Sequence, residues 1–123
     1  MRARSSSSVR IFYPKCDRTQ LIRALEEGVQ RLARVLPVRR VVLFGSYAKG
    51  TYTVGSDVDL LVVYQGEPRG DAYAVTKRTL DIPRLEPHPY TEAEYEALAP
   101  TLERMVAGGV LILSSDGVTG PRE

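Results

Sequence analysis

The stretch Val41-Val42-Leu43-Phe44-Gly45-Ser46-Tyr47-Ala48-Lys49-Gly50, followed after a short link by Ser56-Asp57-Val58-Asp59-Leu60-Leu61-Val62-Val63-Tyr64, decides how this chain is read. Arg40 to Phe44 carries a continuous apolar run and reads as a short strand. Gly45 follows it directly, where a backbone must turn sharply or approach another group closely. Gly45 to Gly50 reads as a tight turn leading into about one helical turn. Asp57 to Tyr64 reads as a second strand, and its tail, Leu60 to Val63, is apolar without alternation, as expected of a strand covered on both faces.

The acids come first in the chemistry. Alternation along a strand points Asp57 and Asp59 to one face. Their Cα atoms would then lie about 6.5 Å apart, where two charges repel by about 2.5 kcal/mol at an effective dielectric near 20. The local sequence supplies no Arg or Lys between them, so the pair calls for a cation. Magnesium suits it, because it takes oxygen ligands and keeps positions for water or phosphate. The turn supplies the complement. Ser46 opens a helical turn whose backbone N–H groups and hydroxyl form a ready anion site. Lys49 follows one turn later, within reach of a phosphate, and Ser56 stands beside the acid pair. Gly45, Ser46, Lys49 and Ser56 are therefore the nucleotide-binding candidates. If the two strands pair antiparallel, phosphate cradle and acids converge, which is the geometry of metal-assisted phosphoryl transfer.

Outward from this centre, Leu21, Leu25, Val29, Leu32 and Leu36 recur at helical spacing over Asp17 to Leu36. Asp17 with Gln20 makes a capping box, and Pro37 sets the stop. Asp71 to Leu80 reads as a helix with Ala72, Val75 and Thr79 on one side. Arg84 to Tyr90 reads as a third strand, at a sheet edge because Pro87 and Pro89 cannot donate to a ladder. Thr91 with Glu94 makes a second capping box, Pro100 interrupts the helix it opens, and a further piece runs from Thr101 to Ala107. Val110 to Leu113 is a last strand. The expected fold is α/β (α+β): a small mixed sheet with helices packed on it. Residues 1–16 form a basic, serine-rich lead, 17–113 the folded domain and 114–123 a polar tail.

A chain of 123 residues fits one domain and leaves no length for a separate acceptor-binding domain. Apolar residues make up 43% and charged residues 26%, an ordinary soluble balance. No run approaches the roughly 18 apolar residues that span a bilayer, and no apolar stretch follows the basic start, so neither membrane insertion nor secretion is expected and the location is cytoplasmic. The net charge of +2, with no basic stripe, argues against a nucleic-acid partner. Cys16 is the only cysteine, which excludes an internal disulfide and a zinc cluster. Scarce amides and abundant charge suit a thermophilic source or a GC-rich genome equally.

The Gly-Ser pair, ten residues, then Asp-x-Asp resembles the active-site pattern of the polymerase-β-type nucleotidyltransferase superfamily. Gly-Ser-Tyr-Ala-Lys-Gly and Ser-Asp-Val-Asp-Leu-Leu-Val-Val resemble its minimal stand-alone members in particular, with the similarity fading from about Leu21 to Leu113. The resemblance implies the nucleotidyltransferase fold, with Ser46 on the nucleotide phosphates and Asp57 and Asp59 on two magnesium ions. It also implies a third carboxylate on the next strand, ahead of a Tyr-Thr that starts a helix. Glu86, ahead of Tyr90-Thr91, matches that position as metal ligand and general base, although Glu is a methylene longer than the usual Asp and prolines flank it. A crossover between parallel strands would bring Glu86 near Asp57. Small members of this kind resemble antitoxins paired with a separately encoded helical toxin, onto whose tyrosine they transfer AMP from ATP.

The expected reaction is thus magnesium-dependent transfer of a nucleoside monophosphate, from ATP or another NTP, to an acceptor hydroxyl. The alternatives are a non-catalytic antitoxin that acts by docking, and transfer to a small molecule such as an aminoglycoside or to RNA. Other conspicuous residues have plainer readings. His88 shares a face with Glu86 but reads as an exposed strand histidine. Tyr47, Tyr52, Tyr64 and Tyr73 read as packing and rim, and Arg23, Arg31 and Arg34 as a solvated helix face.

Overall fold

The computed structural model describes residues 17–53 and 55–114, so the expected basic lead, Cys16 and the tail beyond Ser114 lie outside the described residues. In chain order the elements are α1 (Arg18–Leu32), β1 (Val38–Phe44), α2 (Ser46–Lys49), β2 (Val58–Tyr64), α3 (Ala72–Leu80), β3 (Leu85–Thr91), α4 (Glu92–Ala97), α5 (Ala99–Met105) and β4 (Val110–Ser114). The strands form one four-stranded sheet in the order β3-β2-β1-β4. β1 runs antiparallel to β2 and β4, and β2 runs parallel to β3 through the intervening α3.

Two apolar layers sandwich the sheet. On one face, Leu21, Leu25, Val29 and Leu32 of α1 join Ala72, Val75 and Leu80 of α3 in a cluster with Val41, Leu43, Leu60, Val62 and Leu85. Each of these fully buried Leu or Val side chains stabilises the fold by about 1.5–3 kcal/mol through its removal from water. On the other face, Val42, Phe44, Leu61 and Val63 pack with Tyr90, Tyr95, Met105 and Val106. The unbroken apolar tail of β2 follows from its central place, with Leu60, Leu61 and Val62 completely buried.

Both capping boxes form. Asp17 accepts from the Gln20 N–H, and Thr91 from the Glu94 N–H, with each partner side chain reaching back to the cap backbone. β3 lies at the edge, and its prolines are placed for that position. The Val58 N–H donates to the Arg84 carbonyl. Alternation then turns the N–H groups of Glu86, His88 and Tyr90 toward β2, and positions 87 and 89 outward. Proline at those two positions removes donors from the free edge and leaves the ladder intact.

Several boundaries differ from the sequence reading: β1 begins at Val38 and not Arg40, β2 at Val58 and not Asp57, and β3 runs one residue later at each end. α1 ends at Leu32, with Leu36 held by a following turn, because the carbonyl of Leu32 accepts from both Val35 and Leu36. Pro100 sits in the first turn of α5 and does not break a helix from within; the break falls at Leu98. A proline in a helix's first turn withholds an N–H that has no intrahelical partner anyway. Ser114 belongs to β4, where it pairs with Arg40, and not to a tail. No helix among the described residues is long and apolar enough to cross a membrane.

Candidate active site

The end of β1 meets the start of β2, with Phe44 opposite Asp59. Gly45 comes next, at φ 81° and ψ −154°, a conformation essentially restricted to glycine. A Cβ built on Gly45 would lie 2.5 Å from Asp59 Oδ2. The turn therefore lies close against the carboxylate, and the antiparallel pairing expected from the sequence brings the Gly45 turn and Asp59 together. Ser46 opens α2 from this point, Lys49 closes it with an exposed side chain, and Gly50 caps it at φ 81°. Tyr47 and Ala48 anchor α2 in the core, and Tyr47 stacks on Tyr52 with ring centroids 4.3 Å apart. Arg18 Nε donates to the Tyr47 carbonyl over 3.1 Å, tying the start of α1 to this turn. Ser56 shapes the link before the acids, which it closes by accepting the Thr53 N–H on its Oγ at 2.8 Å.

The acids are arranged differently from the simple alternating strand. Asp57 precedes β2 and is exposed, whereas Asp59 lies within it and is half-buried. The expectation that no cation stands near the pair is corrected by Arg84, whose Nη2 lies 3.1 Å from Asp57 Oδ1. Arg84 sits immediately before β3 at φ 63°, a left-handed conformation for a non-glycine residue. Its Nε also donates to the Ser56 carbonyl at 3.3 Å. Both partners of the ion pair are about half exposed, 54% and 56%, so its worth is about 0–1 kcal/mol.

Glu86 registers opposite Asp59, not Asp57 as expected, because Val58 pairs with Leu85. Its carboxylate accepts from the Tyr73 hydroxyl at 3.2 Å on each oxygen. His88 also departs from its plain reading. Its Nε2 lies 3.4 Å from Asp59 Oδ1, a long contact, and its ring meets Phe44 at 5.2 Å between centroids. Sequence reasoning thus missed Arg84, His88 and Tyr73. The period-two match of His88 with Glu86 was the available signal for one of them; nothing local marks Arg84 or Tyr73.

Each acid already has a neighbouring donor, and no group of three or more His, Cys, Asp or Glu side chains among the described residues is poised to hold a metal ion. The donor set still fits magnesium: Asp57 and Asp59 supply hard oxygens beside the Gly45 turn. Magnesium characteristically takes one or two carboxylates and completes its shell with substrate phosphates and water. The site fits an ion that arrives with a triphosphate better than one held in an all-protein cage.

The family model described as "Nucleotidyltransferase domain" matches residues 22–104. The chain belongs to the nucleotidyltransferase domain family. A stretch of 26 residues is 54% identical to a Methanocaldococcus jannaschii protein named "Putative protein adenylyltransferase", covering 21% of this nucleotidyltransferase chain and 26% of that protein. A crystal structure described as "a putative nucleotidyltransferase from Sulfolobus solfataricus" superposes with a TM-score of 0.56 at 20% identity, covering 84% of this chain and 88% of that one. A crystal structure described as a toxin-antitoxin with AMP-PNP superposes with a TM-score of 0.51 at 20% identity, covering 74% of each chain. At such identities the two structures share the nucleotidyltransferase fold with this chain.

Proposed function

We propose that this chain transfers a nucleoside monophosphate, AMP from ATP, to a hydroxyl on a separately encoded helical protein, and that a tyrosine is the acceptor. The observation that carries the reading is the close approach of the Gly45 turn to the Asp59 carboxylate, which supports a nucleotide phosphate held beside Asp57 and Asp59. Membership of the nucleotidyltransferase family supports the reaction type. The short match to a protein named as a protein adenylyltransferase, and the fold shared with a toxin-antitoxin crystallised with AMP-PNP, support ATP and a protein acceptor.

In this reading Gly45, Ser46 and Lys49 hold the triphosphate, and Ser56 shapes the link beside it. Asp57 and Asp59 hold magnesium, with Glu86 the third acid. Magnesium, when bound, neutralises phosphate charge and orients the triphosphate. The acceptor oxygen attacks the α-phosphorus, its proton passes to Glu86, and the bond from the α-phosphorus to the bridging oxygen breaks to release pyrophosphate. Positioning and charge stabilisation account for most of the rate in such a transfer.

A second reading rests on the paired acids. Asp57 with Arg84, Asp59 with His88 and Glu86 with Tyr73 describe a site at rest, which also suits a module that silences a partner by docking alone. Co-purification with the cognate partner, incubation with magnesium and ATP, and intact-mass measurement decide between the two. The partner gains one or more AMP units if the chain is the transferase. A partner silenced without a mass change, and equally by Asp57→Asn, establishes docking.

A further inference from the structure

Tyr73 stands on the first turn of α3 and is 40% exposed, unusual for a ring of its size in this fold. α3 packs on the sheet face that carries Leu60, Val62 and Leu85. Glu86 alternates with Leu85 and so belongs to the opposite face, beside Asp59 and across from Phe44. β3 is an edge strand, so the Tyr73 hydroxyl and the Glu86 carboxylate meet around the outer rim of the sheet, in the open. The hydroxyl donates to both carboxylate oxygens at 3.2 Å. An acceptor hydroxyl must make this same contact with a general base before it attacks. Lys77 completes the group, with its ammonium 5.6 Å from the Tyr73 ring centroid. Among the described residues, Tyr73 thus supplies a hydroxyl already engaged with the acid assigned as base, one strand from Asp59.

We propose that Tyr73 is itself a modification site, nucleotidylated by its own chain; this rests on the transferase reading above. The Tyr73 oxygen attacks the α-phosphorus of a bound NTP and its proton passes to Glu86. The bond to the bridging oxygen breaks, pyrophosphate leaves, and a phosphodiester joins tyrosine to the nucleoside. Lys77 supplies a cation beside the new negative charge. The product no longer has a hydroxyl proton to give Glu86 and places a bulky anion against it, so the reaction stops at one unit per chain and leaves the acceptor side of the site blocked. A partner hydroxyl reaches Glu86 only by displacing Tyr73, which makes self-modification and partner modification competitors for one carboxylate.

The test uses the purified full chain alone with magnesium and α-labelled ATP. Label is expected to appear on the chain at a rate independent of protein concentration, to stop at one nucleotide per chain, to map by peptide mass spectrometry to Tyr73, and to vanish in Tyr73→Phe. Label on another residue, label retained in Tyr73→Phe, or a rate that rises with protein concentration overturns the proposal. A parallel measurement of thermal stability separates the two claims. If ATP with magnesium raises the melting temperature but no adduct forms, the Tyr73 proposal fails and the transferase reading stands. If ATP with magnesium leaves the melting temperature unchanged, the transferase reading fails and takes the Tyr73 proposal with it.

Discussion

Gly45 and Asp59 share one small volume: a methyl group on Gly45 would sit 2.5 Å from the Asp59 Oδ2. The glycine is held at a positive φ by the turn into α2, and the carboxylate by its place in β2 opposite Phe44. Backbone and acid therefore face each other with no side chain between them. In the proposed reading, nucleotide binding beside the acids depends on this relationship.

Gly45→Ala is expected to act twice. The conformation costs an L-residue about 1–3 kcal/mol, and the new methyl displaces the Asp59 carboxylate. Gly50→Ala provides the comparison, because Gly50 also has φ 81° but nothing lies within 4 Å of its Cβ position. That variant carries the backbone penalty alone, about 1–2 kcal/mol for a left-handed residue. Thermal melts should show both variants destabilised. Titration with magnesium and ATP should show binding lost in Gly45→Ala and retained in Gly50→Ala.

Asp57→Asn should leave stability within about 0.5 kcal/mol, because an exposed ion pair with Arg84 contributes little, while removing the magnesium-dependent part of ATP binding. Arg84→Ala has the opposite sign for binding. It frees Asp57 from a competing guanidinium, so the apparent magnesium affinity in the presence of ATP should rise by up to about fivefold, the equivalent of the upper worth of such a pair. Manganese titration followed by electron paramagnetic resonance reads both variants without any turnover.

Much of the frame was legible because it is governed by local rules. Asp17 with Gln20 and Thr91 with Glu94 cap where their spacing says, the apolar tail of β2 is central, and Pro87 with Pro89 mark an edge. The contacts inside the site were not legible for a physical reason: they depend on register and on one unusual backbone angle. A two-residue difference in register at the start of β3 sets Glu86 against Asp59 and not Asp57. Arg84 reaches Asp57 from a left-handed conformation that no sequence pattern signals for arginine. Tyr73 reaches Glu86 around the sheet edge, a path set by how α3 lies on the sheet and not by spacing along the chain.

Glu86→Gln is expected to lower turnover by about 10²-fold or more if Glu86 takes the acceptor's proton, with ATP affinity changed only a few-fold. The amide keeps the hydrogen bond to Tyr73 through its oxygen, so the fold should melt at nearly the wild-type temperature. Unchanged turnover would return Glu86 to a rim role, and a large loss of ATP affinity would make it chiefly a metal ligand.

Away from the site, Arg69 fastens the link between β2 and α3. It bonds both oxygens of Asp71 at 3.0 Å and the Val35 carbonyl at 3.0 Å. The hydrogen bond from Arg69 holds the Asp71 carboxyl below its ordinary range. A lowered carboxyl pKa contributes stability above the ordinary aspartate value of about 3.9 and loses it as pH falls through the lowered one. Asp71→Asn should therefore melt below wild type at neutral pH, and the gap should close as the pH is taken below the ordinary aspartate range. A gap that widens in acid would contradict the assignment.

The central claim is that the Asp57–Asp59 site breaks the bond between the α- and β-phosphates and retains the nucleotide. Parallel incubations of the chain and its cognate partner with α-labelled and γ-labelled ATP, each with magnesium, test this directly, with Asp59→Asn alongside. Covalent protein label is expected from α-labelled ATP only, with γ-label released in pyrophosphate and no covalent label with Asp59→Asn. Covalent label from γ-labelled ATP, or α-label undiminished in Asp59→Asn, would contradict the claim.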